Sequence, residues 1–193
     1  RDNIDLMSIS AHKFYGPKGV GALFISVKPN RVRLSPIIHG GGQERNFRSG
    51  TLPVPLCIGF GEAARLAGIE MEKDTIHITK CRDAFLSELS KLLPKFYING
   101  DMNERLPNNL NISFEGVEAE SIIFGLDDIA VTSVSACSSE KLESSYVLKA
   151  IGVPDELSHS SLRIGFGRFT TIDECIYAPK KISDVVTRLR KFS

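Results

Sequence analysis

The sequence predicts an α/β protein, and three observations support that prediction. Strand-like and helix-like segments alternate along most of the chain, which is typical of layered α/β structures. The 193 residues are 42% hydrophobic and 24% charged, so the chain is long and apolar enough to bury a core of its own. No run approaches 18 apolar residues and no charged-then-apolar leader is present, so we expect a soluble protein without a membrane span.

Charge and cysteine usage narrow the classes of function. A formal net charge of +1 gives no overall basic field, so nucleic acid is not an expected partner. The four cysteines form no CxxC pair and the four histidines no HxxxH pair, so no structural zinc site is expected. Reduced thiols indicate a reducing compartment, the cytoplasm or the mitochondrial matrix of a eukaryote. Because the chain starts with Arg1 instead of Met and the strand-like run Ile4–Ser10 follows almost at once, we expect a fragment of a longer protein.

The first seventy residues contain two predicted strands, a loop and a helix. Ile4–Ser10 and Val20–Val27 are short β-rich runs separated by a GPKG turn. Glycines and prolines predict a loop from Pro29 to Thr51. Small and apolar residues after Pro53 predict a helix to about Ala67.

The composition changes near residue 70, where we predict a domain boundary. Met71–Leu93 has the spacing of an amphipathic helix that ends before Pro94. A final helix is predicted from about Thr171 to Lys191, beginning with the Thr-x-x-Glu pattern of a capping box. Between them, the predicted strands are Asn109–Phe114, Ile129–Thr132 and Leu162–Phe166, and the predicted helices are Ala119–Gly125 and Ser145–Ile151.

The most informative segment is the SISAHKFYGPKG run at residues 8–19, where Lys13 directly follows a strand. A lysine confined at a strand end can lose its proton, and a neutral amine can form a Schiff base with a carbonyl. Ser10 and His12 are suited to hydrogen-bond a phosphate beside it. The alternative is a solvated loop lysine next to an ordinary histidine.

Four segments in order resemble those of cysteine desulfurases, fold-type I enzymes that depend on pyridoxal 5′-phosphate. They are SAHKFYGPKGVGALF at 10–24, HGGGQER and RSGT at 39–51, SAC at 135–137, and HSSLR with GRFT at 159–170. The resemblance implies the C-terminal portion of such an enzyme. Residues 1–70 would end the large cofactor domain, and residues 71–193 would form the small α/β domain.

The resemblance assigns roles to the residues around the cofactor. Lys13 would carry pyridoxal phosphate and later move protons, while Ser10 and His12 would hold its phosphate. Thr51 would contact the same phosphate from the other subunit of a homodimer, since small RSGT residues let the backbone approach a phosphate closely.

Two further residues would act on the substrate. Cys137 lies in the polar run TSVSACSSE, which favours an exposed loop over the usual burial of a free cysteine. By resemblance it attacks the sulfur of bound cysteine and becomes a persulfide, and it is also a candidate transient ligand of an iron–sulfur cluster. Arg163 would bind the substrate carboxylate in a bidentate manner, whereas an isolated arginine is more often a surface ion pair.

The implied activity is removal of sulfur from L-cysteine, giving L-alanine and an enzyme persulfide. The implied setting is iron–sulfur cluster assembly, with a scaffold protein as the sulfur acceptor. Two alternatives stay open: a selenocysteine lyase-like enzyme, and a non-catalytic remnant or subunit that needs an N-terminal half in trans.

Overall fold

The computed structural model describes residues 3–27, 32–133 and 145–192, which form two compact units, residues 1–71 and 72–193. The strands are β1 Leu6–Ser10, β2 Gly21–Ile25, β3 Tyr97–Ile98, β4 Asn109–Ser113, β5 Thr132–Ser133 and β6 Ser161–Gly165. The helices are α1 Val54–Leu92, α2 Ala119–Phe124, α3 Tyr146–Ala150, α4 Asp155–His159 and α5 Ile172–Leu189. The assignment of the two units to a cofactor domain and a small domain stays a prediction.

The first unit is built on an antiparallel hairpin. β1 pairs with β2 along its full length, so that Ser10 lies opposite Gly21. A side chain at Gly21 could not be accommodated, because its Cβ would lie 2.4 Å from the carbonyl oxygen of Ile9. The hairpin places the end of β1, and the residues that follow it, beside the start of β2.

A single helix, α1, stands where two helices were predicted. The predicted break between Ala67 and Met71 is wrong, because Val54–Leu92 is continuous. The intervening residues include Gly68, and an isolated glycine weakens a helix by only about 1 kcal/mol without ending it. The helix therefore contributes its first turns to the first unit and the rest to the second.

The second unit has a four-stranded antiparallel sheet in the order β3-β4-β6-β5. Alternate residues of its central strands are fully or nearly fully buried, as expected of a sheet with one face on a core. That core also takes residues from α1, α2 and α5, and its members include Phe85, Leu89, Leu110, Ile112, Ile122, Leu162, Ile164, Ile182 and Val186. The opposite face of β4 and β6 carries polar residues.

The remaining sequence predictions have mixed outcomes. The capping box is confirmed: the hydroxyl of Thr171 accepts from the Glu174 N–H, and the Glu174 carboxylate accepts from the Thr171 N–H. The predicted strand Ile129–Thr132 is displaced, because within the described ranges the strand at this place is β5, Thr132–Ser133, which pairs with β6. The sequence analysis missed α4, a five-residue helix too short for a visible period.

No helix in the described part of the chain is long and apolar enough to cross a membrane.

Candidate functional site

Lys13 lies in a tight 3₁₀ turn, Ala11–Phe14, that begins where β1 ends. Ala11 is fully buried, and its N–H donates to the carbonyl of Val20 at 3.2 Å. Phe14 packs against Phe60, with 5.6 Å between the ring centroids. These contacts anchor both ends of the turn and leave the Lys13 side chain exposed.

The other predicted residues of this turn sit beside the lysine. His12 precedes Lys13 within the turn and is exposed, while Ser10 ends β1 and is half-buried. Gly16 lets the chain leave the turn, since a Cβ there would lie 2.9 Å from the carbonyl oxygen of Ala11. The structure therefore brings a hydroxyl, an imidazole and an amine together at one strand end.

The glycine-rich loop at residues 39–50 closes on itself through hydrogen bonds. The Ser49 hydroxyl donates to the carbonyl of Gly41 at 2.7 Å, and the Gly50 N–H donates to Gln43 Oε1 at 3.1 Å. At its tip, Glu44 and Arg45 adopt φ angles of 49° and 56°, a conformation that costs non-glycine residues energy. The tip is a strained turn held by its own contacts.

The predicted roles of Thr51 and Cys137 are not tested by the described residues. Thr51 is exposed just before α1, and within the described ranges no hydrogen bond joins it to the Lys13 turn. Cys137 lies outside the described residues, so its predicted role stays a prediction.

Arg163 is in the second unit, on the polar face of β6. It is exposed, whereas its strand neighbours Leu162 and Ile164 face the core. Asn111 of β4 and Thr132 of β5 lie directly opposite it, so the three side chains form one row across the sheet. Among the described residues, no hydrogen bond or ion pair engages the Arg163 guanidinium.

A chain of hydrogen bonds, which we call the amide relay, reaches this row from α4. The Ser113 hydroxyl donates to the carbonyl of Leu157 at 2.6 Å. Asn99 Nδ2 donates to Ser113 Oγ at 2.8 Å and to Asn111 Oδ1 at 2.6 Å. Asn99 and Ser113 are buried, so water does not compete for these bonds.

A second polar cluster fixes the segment that follows β6. Arg168 forms an ion pair with Asp74 of α1, and this hydrogen-bonded guanidinium lowers the pKa of the Asp74 carboxyl below its usual value. His77 Nε2 donates to the carbonyl of Thr170 at 2.8 Å. The buried Cys81 thiol donates to the same carbonyl at 3.5 Å. This segment is thus bound to one face of α1.

Sequence reasoning missed the amide relay, although part of the signal is present. The alternation in Asn109–Ser113 and Ser161–Gly165 places Asn111 and Arg163 on the polar faces of their strands. Their pairing depends on the register between β4 and β6, and the role of Asn99 depends on a loop. Neither can be read from a period-2 pattern.

The aminotransferase class-V family model matches residues 1–176. The chain belongs to the aminotransferase class-V family. This confirms the family resemblance drawn from the four sequence motifs.

Two bacterial relatives illustrate the likeness of this class-V chain to cysteine desulfurases. Cysteine desulfurase IscS of Rickettsia typhi is 56% identical over 191 residues, 99% of this chain and 46% of that protein. The X-ray structure of a NifS-like protein from Rickettsia africae superposes with a TM-score of 0.82 at 30% identity, covering 95% of this chain and 48% of that one. The class-V chain thus spans about half the length of the curated relatives it matches.

A second solved structure is a complex with a small molecule. SspA in complex with cysteine matches with a TM-score of 0.63 at 30% identity, covering 88% of this chain and 46% of that chain. Together the structural matches confirm the predicted mixed α/β fold of the fold-type I class for this class-V chain.

Proposed function

We propose that the protein to which this chain belongs is a cysteine desulfurase, which converts L-cysteine to L-alanine and leaves a persulfide on Cys137. The observation that carries the proposal is the 56% identity, over 99% of the chain, to a cysteine desulfurase IscS. The exposed amine of Lys13 and the exposed guanidinium of Arg163 are consistent with it, since the reaction needs an amine and a carboxylate-binding group.

Pyridoxal 5′-phosphate fits the residues around Lys13. The Lys13 amine can react with the aldehyde, and the Ser10 hydroxyl and His12 imidazole can hydrogen-bond the phosphate. The anchored turn keeps these three groups at one strand end. We propose that Lys13 holds the cofactor, with Ser10 and His12 on its phosphate and Thr51 contacting the phosphate of a second subunit. When bound, the cofactor supplies an electron sink for the substrate carbon.

The chain's own residues would then act in sequence on the substrate. Arg163 binds the carboxylate, which does not change during the reaction, through its planar fork of N–H donors. The Cys137 thiolate forms a new S–S bond with the substrate sulfur while the substrate C–S bond breaks. The electron pair of that bond stays with the carbon, which takes up a proton from Lys13 to become the methyl group of alanine.

The product of this reaction, a persulfide, requires an acceptor. We propose an iron–sulfur scaffold protein as that acceptor, a homodimer as the working state and the cytoplasm as the location, as the family resemblance implies. A selenocysteine lyase is the alternative within the same chemistry.

A test of the proposed function uses the full-length protein loaded with pyridoxal phosphate. We expect alanine release from L-cysteine, and trapping with borohydride should leave the cofactor mass on the peptide that contains Lys13. Cys137→Ser should abolish alanine and persulfide formation, because a serine hydroxyl cannot accept sulfur. Cys57→Ser, which changes a half-buried helix cysteine, is the matched control and should keep both activities.

Two results would contradict the proposal. One is normal turnover by Cys137→Ser, which would assign the thiol role to another cysteine. The other is turnover of selenocysteine without turnover of cysteine, which would identify a selenocysteine lyase.

A further inference from the structure

The hydrogen bonds of the amide relay have a fixed donor-to-acceptor order. This order determines whether the oxygen or the NH₂ group of the Asn111 side chain faces Arg163. A backbone carbonyl can only accept a hydrogen bond, so the Ser113 hydroxyl must give its proton to Leu157 O. Ser113 Oγ can then only accept from Asn99, so the side-chain group that Asn99 turns toward it is the NH₂ group.

The same NH₂ group of Asn99 also contacts the Asn111 amide, which must therefore offer its oxygen. The NH₂ group of Asn111 is consequently the part of the amide turned away from Asn99. Because β4 lies between β3 and β6, Asn99 and Arg163 stand on opposite sides of Asn111. The N–H donors of Asn111 thus share the half-exposed side of the row with the guanidinium.

The N–H donors of both side chains have no acceptor in the described part of the chain. Asn111 Nδ2 has no acceptor there, and Arg163 has neither a hydrogen bond nor an ion pair. The Cβ atoms of residues directly opposite in an antiparallel pair lie roughly 4.5–5.5 Å apart, a separation that two oxygens of one carboxylate can bridge. A face with two donor groups and one positive charge suits a carboxylate and disfavours a cation.

We propose that the Asn111 side-chain amide donates to the same substrate carboxylate that Arg163 binds, with the Leu157–Ser113–Asn99 relay holding that amide in its donating orientation. The inference rests on the proposed function for the identity of the substrate, while the donor geometry is a property of the sheet itself. Asn111 is then a binding residue, and Asn99 and Ser113 are positioning residues.

The test compares two asparagines of the same strand and face in the full-length protein loaded with pyridoxal phosphate. Asn111→Ala removes the donor opposite Arg163, and Asn109→Ala removes an amide opposite Gly165. Calorimetric titration measures the affinity for L-alanine, the proposed product, and for L-alaninamide, in which a neutral amide replaces the carboxylate.

We expect Asn111→Ala to bind L-alanine about 10-fold to 100-fold more weakly, the range for a lost hydrogen bond to a charged group. The preference for L-alanine over L-alaninamide should fall by a similar factor, whereas Asn109→Ala should keep the wild-type preference. Ser113→Ala should move the preference in the same direction by a smaller factor, because the Asn99 amide is then free to turn.

Four results separate the possibilities. An unchanged preference in both Asn111→Ala and Ser113→Ala would overturn the inference, as would an equal loss in Asn109→Ala. Weaker binding of both ligands by the same factor would indicate a structural role only and would also overturn it. Failure of the wild-type protein to release alanine from L-cysteine would refute the proposed function, yet the two titrations would still decide the role of Asn111.

Discussion

Arg168 and Asp74, which are 94 residues apart in the chain, form a bidentate ion pair. Arg168 Nε lies 3.0 Å from each carboxylate oxygen, and Nη2 lies 2.6 Å from Oδ2. Both side chains are largely buried, at 23% and 18% exposed. Because Arg168 follows β6 and Asp74 lies on α1, the pair ties the end of the sheet to the long helix.

Removal of this ion pair should destabilise the second unit. We expect Arg168→Ala to lower its free energy of unfolding by about 1.5–3 kcal/mol, because charged hydrogen bonds are lost and Asp74 keeps its charge in a half-buried place. Arg168→Lys should restore only part of the lost free energy of unfolding, since an ammonium cannot make the bidentate contact of a guanidinium. Hydrogen exchange of α1 and α5 peptides measures the change. Lys91→Ala, which removes a 66% exposed lysine paired with Glu88, is the control and should cost less than Arg168→Ala.

The contribution of Asp74 should depend on pH in a defined direction. Its folded pKa lies below the ordinary value of 3.8, so the ion pair stabilises the fold fully above that pH. The stabilisation is lost as the pH falls through the lower folded pKa, where the carboxyl takes up a proton. Wild type and Asp74→Asn should therefore differ in unfolding free energy at neutral pH and converge in acid. A difference that grows on acidification would contradict this account.

The strands and helix starts that depend on local sequence patterns could be predicted from the sequence. The predicted strand Asn109–Phe114 is observed as β4, and Thr171 with Glu174 predicted the start of α5. The relay through Asn99 could not be predicted, because it depends on which strands pair and in which register. The same applies to Arg168 and its ion pair, since nothing in the local sequence indicates a partner on α1.

The capping box of α5 should contribute measurably to stability. Thr171→Ala leaves the Glu174 N–H without its acceptor, and we expect a loss of about 1 kcal/mol in the free energy of unfolding. Thr187→Ala is the matched control, because Thr187 is an exposed residue in the last turn of the same helix, away from the cap, and alanine favours the helical state. Equal effects of the two substitutions would show that the cap contributes nothing.

Two cysteines of the second unit should be unreactive in the folded protein. Cys81 and Cys175 are 0% and 2% exposed, and burial, together with the neighbouring Cys81, raises the pKa of Cys175 to about 12. Since the thiolate is the nucleophile, we expect iodoacetamide at neutral pH to leave both unlabelled until the chain is denatured. Peptide mass spectrometry reads the labelling, with half-buried Cys57 as the internal reference. Rapid labelling of native Cys175 would contradict the burial.

The amide relay consists only of a backbone carbonyl, a hydroxyl and two carboxamides, none of which gains or loses a proton in the neutral range. Arg163 is the charged member of the row, directly opposite Asn111. The relay that would hold the Asn111 amide in its donating orientation is therefore insensitive to pH in this range. If Asn111 binds the substrate carboxylate as proposed, ionisation of the amide relay would contribute nothing to the pH dependence of the reaction rate.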